Sequence, residues 1–296
     1  MMTDRSNQPP FHTASRLREL LRASGIAPRR RFGQHFLIDA NLMNRLLDAA
    51  ELSRDDCALE IGAGTGCLTA RLAASAGAVV SIEVDAGMHR IAIETVAPFD
   101  NVTLLHGDAL ASKSRLSLDL TGAIQRRVPS ASPQYKLVAN LPYDIATPLV
   151  ILLLQLEIAP RCLSFTVQRE VAERFIAAPA TAAYGPVSVM AQALCSVRRI
   201  ARVPAAAFWP RPRVESAMLQ LSPLPPGQCR VADRREFCQF VRSFFLYRRK
   251  RMAYRGRRAG GQGGLPDALS ACGIHDNARP QDLSVTDWVC LFDHLS

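Results

Sequence analysis

Apolar residues along this chain recur at two spacings. From Thr13 to Ser24 they fall at Leu17, Leu20 and Leu21, the three- and four-residue steps of one helical face, and Gly25 supplies a stop. Asp39 stands as an N-cap ahead of a second such face at Leu42, Leu46 and Leu47. Short apolar runs then alternate with helical stretches. Strands are expected at Cys57–Ile61, Val79–Val84, Val102–His106, Lys136–Ala139 and Leu163–Gln168, and helices at Leu68–Ser75, Met88–Val96, Pro148–Leu156 and Glu170–Ala177. This rhythm predicts an α/β fold, a doubly wound, mostly parallel sheet with helices on both faces. Val187–Val203 and Ala217–Leu221 read as further strands, an antiparallel addition at one edge. Pro223-Leu224-Pro225-Pro226-Gly227 breaks the pattern. Beyond it Arg234–Tyr247 and Leu265–Cys272 read as helices, separated by a basic segment that ends in the glycines Gly260–Gly264. The expected organisation is an N-terminal extension over 1–28, disordered through residue 12, a large α/β domain over 29–224, and a small helical domain over 225–296.

Composition adds a partner class. With 48% hydrophobic and 21% charged residues, the chain has the make-up of a soluble globular protein. Its longest aliphatic run, Leu149–Leu154, is far short of the roughly 18 residues that span a bilayer. The polar, Arg-bearing start lacks the apolar core of a secretory signal, so a cytoplasmic protein is expected. The net charge is +10 and the pI about 9.6, and lysine occurs only at Lys113, Lys136 and Lys250. GC-rich codons account for arginine over lysine but not for the net charge, which points to a polyanion. The eight cysteines, at positions 57, 67, 162, 195, 229, 238, 272 and 290, include no C-x-x-C pair and no nearby histidine pattern. Neither zinc nor a disulfide is expected, and the cysteines read as small buried apolar residues.

Candidate chemistry sits at the predicted strand ends. Glu60-Ile61-Gly62-Ala63-Gly64-Thr65-Gly66 lies between a strand and a helix, where glycine lets the backbone approach a ligand. Glu83 ends the next strand, where a carboxylate accepts both hydroxyls of an adenosine ribose. A dinucleotide site wants G-x-G-x-x-G beneath a pyrophosphate. Here the spacing is G-x-G-x-G, and Cys67 stands where the third glycine would be. The departure disfavours a nicotinamide dehydrogenase and favours S-adenosylmethionine. Asp108, after the third strand, adds a carboxylate for the adenine amino group.

After the fourth strand comes Asn140-Leu141-Pro142-Tyr143. Its chemistry suits an exocyclic amine. The Asn140 side-chain oxygen and the Leu141 carbonyl each accept an N6 hydrogen, Pro142 holds the turn, and Tyr143 stacks on an extruded base. Two acceptors draw the nitrogen lone pair out of conjugation, so no strong base is required.

With Gly33-Gln34-His35-Phe36-Leu37, Ile145, Thr147, Pro148 and Tyr184-Gly185-Pro186-Val187-Ser188-Val189, these motifs occur in an order that resembles the ribosomal RNA adenine N6,N6-dimethyltransferases. The resemblance covers roughly residues 29–250. It implies a Rossmann-like methyltransferase domain over 29–224 and an RNA-binding helical domain over 225–296. It implies cofactor contacts at His35, Leu37, Gly62, Glu83, Asp108 and Asn140, with S-adenosylmethionine as methyl donor; Gly64 of the glycine-rich turn is expected to join them, and no metal is expected. Phe208-Trp209-Pro210-Arg211-Pro212-Arg213-Val214 matches the family's Phe-x-Pro-x-Pro-x-Val pattern, which implies that Phe208 stacks on the adenine face opposite Tyr143. The implied activity is dimethylation of two adjacent adenosines near the 3′ end of small-subunit rRNA, by a monomer acting on the small ribosomal subunit. Asp144, Trp209 and Arg211 depart from the usual pattern, at the pocket rim or the RNA grip.

Two basic clusters fit an RNA surface. One is Arg29, Arg30 and Arg31. The other is Arg248, Arg249, Lys250 and Arg251, with Tyr247, Tyr254, Arg255, Arg257 and Arg258. Two other readings share the scaffold. Enzymes of the erythromycin-resistance type modify large-subunit rRNA, but more often carry Ile where Leu141 stands and lack the Tyr184–Val189 block. A non-catalytic nucleic-acid binder is disfavoured by the intact set Glu83, Asp108 and Asn140.

Overall fold

The computed structural model describes residues 11–29, 33–128, 135–225, 227–252 and 264–295. Its centre is a seven-stranded sheet. Strand β2 (Cys57–Ile61) is buried at every position, as a strand covered on both faces must be. It pairs in parallel with β3 (Ala78–Glu83) on one side and β7 (Tyr135–Asn140) on the other. β3 continues in parallel to β4 (Val102–His106), and β7 to β8 (Cys162–Gln168). Beyond β8 lie β11 (Ser216–Pro223) and then β9 (Cys195–Val203), giving the order β4-β3-β2-β7-β8-β11-β9. The chain turns back between β2 and β7, so a crevice opens there at the carboxyl ends of the strands. Leu110–Ser112 (β5) and Arg115–Leu116 (β6) form a small antiparallel hairpin.

The helices begin where capping chemistry allows. Thr13 caps α1 (Ala14–Ala23), its hydroxyl accepting from Arg16 N. Asp39 caps α2 (Ala40–Ala50) by accepting from Leu42 N at 3.0 Å. Crossovers α3 (Cys67–Ser75), α4 (Ala86–Val96), α5 (Leu118–Arg127), α6 (Ala146–Leu154) and α7 (Arg169–Ile176) follow the strands. Lys136 is buried on β7 and tied to the Glu51 carbonyl at 2.7 Å and to Asp56 at 3.0 Å, which satisfies its charge away from water. Among the described residues no helix is long and apolar enough to cross a membrane.

Three expectations are corrected. Residues 187–194 are not strand: α8 runs from Pro186 to Leu194 before β9 begins. Pro186 takes the first helical position, where its missing N–H costs nothing, and Ser188 Oγ accepts from Gly185 N at 3.0 Å. Phe11 and His12, expected to be disordered, are half-buried against the rest of the chain, while residues 1–10 lie outside the described residues. Finally, Cys272 and Cys290 form a disulfide across Cα atoms 5.9 Å apart. Cys290 and His294 sit one turn apart on α11 (Val285–Leu295), and Cys272 follows α10 (Leu265–Ala271). The His294 ring nitrogen lies 3.7 and 3.8 Å from the two sulfurs. Cys57, Cys162, Cys195 and Cys238 are buried thiols, as expected.

The chain divides into two compact units, and not at Pro223–Gly227 alone. The first runs through residue 172 and takes 199–220; the second takes 173–198 and everything after 220. The second unit claims α8 because that helix packs on α9 (Arg234–Phe245) and α11. Its core is aromatic: Trp288 meets Phe244 and Phe245 at 5.5 Å, and Phe237 meets Phe292 edge-on at 5.3 Å. Tyr184 is buried there and donates to the Leu283 carbonyl at 2.8 Å.

Candidate active site

The crevice of the first unit holds a cavity of about 380 Å³. Its floor is the turn after β2. Gly62, Gly64 and Gly66 have φ of 86°, 57° and 79°, a left-handed backbone that glycine adopts without strain. Side chains are also excluded by space. A Cβ on Gly64 would meet the Phe36 ring at 2.9 Å, and one on Gly62 would meet Pro142 Cγ at 3.3 Å. A backbone stripped of side chains is what close approach of a ligand demands.

Carboxylates ring this floor. Glu83, at the tip of β3, is held by two backbone donors, Gly64 N at 2.7 Å to Oε2 and Asp85 N at 2.9 Å to Oε1. Burial raises its carboxyl above the ordinary range despite those bonds. Each oxygen retains a lone pair for a ligand hydroxyl. Glu60 lies deeper, 1% exposed, and its Oε2 accepts from Thr69 Oγ1 at 2.5 Å and Ser81 Oγ at 2.7 Å. Burial pushes Glu60 up to about 7. Asp108 is exposed at the cavity edge and accepts from Leu110 N at 2.8 Å.

The opposite wall is a clasp between distant segments. β1 (Phe36–Leu37) pairs antiparallel with β10 (Phe208–Trp209), Phe36 opposite Trp209 and Leu37 opposite Phe208. His35 Nδ1 lies 2.6 Å from the Pro210 carbonyl. A carbonyl only accepts, so this nitrogen carries the proton. The His35 ring stacks on Tyr143 with centroids 5.6 Å apart, and the Tyr143 hydroxyl meets Ser216 Oγ at 2.8 Å.

Asn140 closes β7. Its Nδ2 donates to the His35 carbonyl at 2.7 Å, which fixes the amide so that Oδ1 faces the other way. That oxygen is buried and has no partner among the described residues. A buried amide oxygen left without a donor costs stability, so one in a cavity wall is an acceptor awaiting a ligand N–H.

All seven expected cofactor positions, His35, Leu37, Gly62, Gly64, Glu83, Asp108 and Asn140, line this one cavity. Pro142 lines it too, whereas Leu141, Tyr143 and Phe208 do not. Leu141 is buried, and Phe208 is 2% exposed in a cluster with Leu37, Leu46 and Val138. Phe208 therefore serves as core here, with no face on the cavity. No cofactor contact was expected at Gln34, Glu60 or Ile145, which lie within the quoted motifs and stand in the wall, nor at His12 and Leu17, which lie outside them. The apolar face of α1 was the available signal for Leu17, since such a face must pack on something.

The basic positions separate. Arg29 Nε lies 3.5 Å from the buried Asp85, and Arg29 N donates to Gln34 Oε1. Arg248 is bonded to Gln281 Oε1 at 3.1 Å and to the Ala182 carbonyl at 2.9 Å. Arg249, Lys250 and Arg251 are exposed. Arg30, Arg31, Tyr254, Arg255, Arg257 and Arg258 lie outside the described residues.

A family model described as ribosomal RNA adenine dimethylase matches residues 26–296. The ribosomal RNA small subunit methyltransferase A of Pelotomaculum thermopropionicum is 38% identical over 283 residues, covering 94% of each chain. Its counterpart from Moorella thermoacetica is 36% identical over 281 residues, 94% of this chain and 96% of the other. Among solved structures, a dimethyladenosine transferase from Plasmodium falciparum superposes with a TM-score of 0.70 at 23% identity, over 87% of this chain and 96% of that one. The 23S rRNA methyltransferase ErmE does so at 0.64 and 22%, over 88% and 99%. At such identities the two structures speak for the fold.

Proposed function

Because the chain belongs to the ribosomal RNA adenine dimethylase family, we propose that it dimethylates N6 of two adjacent adenosines near the 3′ end of small-subunit rRNA, as a cytoplasmic monomer. The observation that carries this reading is the orphaned Asn140 Oδ1, locked in orientation by the His35 carbonyl at the cavity wall. The cavity fits S-adenosylmethionine: a glycine floor with no room for a Cβ, and carboxylates at Glu83 and Asp108 for ribose hydroxyls and an adenine amine.

S-adenosylmethionine, when bound, supplies an electrophilic methyl group on a sulfonium. The protein's task is to make an unreactive amine nucleophilic. The N6 lone pair of adenine is delocalised into the ring. Asn140 Oδ1 accepts one N6–H and pulls the nitrogen towards a tetrahedral shape, which frees the lone pair. In the first transfer the Leu141 backbone carbonyl accepts the second N6–H, with Pro142 keeping that turn from relaxing; in the second transfer one N6–H remains, and a single acceptor of this pair takes it. Asn140 is already oriented before substrate arrives, so no reorganisation is needed during reaction. Once alkylated, the nitrogen loses its proton to water without a dedicated base. The exposed cations Arg249, Lys250 and Arg251 of the second unit, with the basic residues that follow, hold RNA phosphates.

The test is transfer of labelled methyl from S-adenosylmethionine to undermethylated small subunits, with large subunits alongside and Asn140→Ala as control. The expected result is N6,N6-dimethyladenosine in the small subunit alone, with the rate lowered by about 10²–10³ in the variant. Label in the large subunit would move the protein to the erythromycin-resistance type. RNA binding without label in either would mean a scaffold without the chemistry.

A further inference from the structure

One wall of the cavity is built by a segment that no motif covers. Phe11 packs against the cluster that contains Leu68 and Leu72. Farther along, Leu17 and Leu21 of α1 are buried against Met88 and Ile91, with Phe36 and Trp209 alongside. The Arg18 guanidinium lies 5.8 Å from the centre of the Trp209 ring. His12 stands between these two anchors along the chain, so its backbone is held on both sides. Its Nδ1 is 3.2 Å from Thr65 Oγ1 in the glycine-rich turn. Both His12 and Leu17 line the same cavity as Glu83 and Asn140.

The two ring nitrogens of this histidine have different tasks. Thr65 takes Nδ1, and no described residue takes Nε2. Burial, helped by the charge of Arg16, holds the imidazole below its ordinary range, so it is neutral at physiological pH. The Nδ1–Thr65 contact admits either direction, and in the tautomer in which the hydroxyl donates to Nδ1 the proton sits on Nε2 as a donor.

We propose that His12 is a further cofactor-binding residue, its Nε2 donating to an oxygen of bound S-adenosylmethionine while Nδ1 latches the ring to Thr65. The oxygen is a ribose hydroxyl or the amino-acid carboxylate; both are acceptors of a neutral N–H. This inference rests on the cavity being the methyl-donor site. It also makes residues 11–17 part of that site and not an extension beside it.

Calorimetric titration of the full-length protein tests it. S-adenosylhomocysteine and 5′-methylthioadenosine, which lacks the amino-acid end, are titrated into wild type, His12→Ala, His12→Asn and His12→Gln. Asn sets a polar atom where Nδ1 stands; Gln reaches to Nε2. Thermal midpoints of the four proteins check that each is folded. Ala and Asn are expected to weaken S-adenosylhomocysteine about tenfold, and Gln to stay within about threefold of wild type. Equal weakening of methylthioadenosine assigns the contact to the ribose, and none assigns it to the carboxylate. Wild-type affinity in His12→Asn would overturn the proposal, because the ring would then be only a latch on Thr65. So would unchanged affinity in His12→Ala. A wild-type protein that binds neither nucleoside would bring down the methyl-donor reading itself, and this inference with it.

Discussion

Single residues in this cavity are constrained from two sides, and each constraint has a measurable consequence. Gly64 combines a left-handed φ of 57° with a Phe36 ring where its Cβ would be. Gly64→Ala is expected to fold but to lose about tenfold or more in S-adenosylhomocysteine affinity, since either the turn or Phe36 must shift into the cavity; calorimetry reads this directly. Glu60 has the opposite problem, a carboxyl whose charge the fold opposes. Its folded value of about 7 stands above its ordinary 4.5, so the folded state retains a proton that the unfolded chain releases. The stability this contributes is full at low pH and is lost as pH rises from about 4.5 to about 7. Glu60→Gln, neutral at every pH, is therefore expected to gain in thermal midpoint over wild type between about pH 5 and pH 8, and a constant difference would refute the shift. The floor glycines, Glu83 and Asn140 were legible because each ends a strand, and strand ends at a sheet's switch point converge. Phe208 was not: a two-residue strand has no periodicity to tell which face turns inward. His12 lacked a signal too, as a lone histidine ahead of a helix has no pattern around it.

At the level of elements, local chemistry decided the reading wherever periodicity was ambiguous. Strands β2, β3, β7 and β8 are short, mostly apolar runs of the right length, and each lies within one residue of its expected bounds. Residues 186–194 mix Val187 and Val189 with a proline, which favours extended structure in isolation. Pro186 at the first helical position and the Ser188 bond to Gly185 N override that preference, and burial of Val189, Met190 and Leu194 in the second unit fixes the helix. The Cys272–Cys290 bridge was invisible for a different reason. The two cysteines are 18 residues apart, and only the packing of α10 beside α11 brings them together. Closing a loop of that length is expected to stabilise the second unit by about 3 kcal/mol, through loss of unfolded-state freedom. Denaturant titration with and without reductant checks it: wild type should lose stability on reduction, and Cys272→Ser should start low and not respond. A wild type indifferent to reductant would mean that the thiols are not cross-linked.

On the scale of the whole molecule, the net charge of +10 is the feature with the longest reach. Affinity for small-subunit rRNA is expected to fall steeply between about 50 and 200 mM salt, with a log–log slope that drops by about 1 for each phosphate-contacting cation removed. Substituting Arg249 or Arg251 should reduce that slope. Arg248, engaged with Gln281 and Ala182, should instead cost stability when replaced, and the two kinds of effect separate in a salt series. Composition foretold the polyanion, but not which cations are spent on holding the protein together. The clasp of β1 with β10 has a further consequence, for synthesis. Phe36 and Leu37 leave the ribosome early, whereas Trp209 and Phe208, their only strand partners among the described residues, follow after most of the chain has been made. A growing chain that already carries every glycine and carboxylate of the cavity still lacks the strand that braces His35, Phe36 and Leu37 in its wall, so a firm hold on a methyl donor is expected late, when the second half of the clasp emerges.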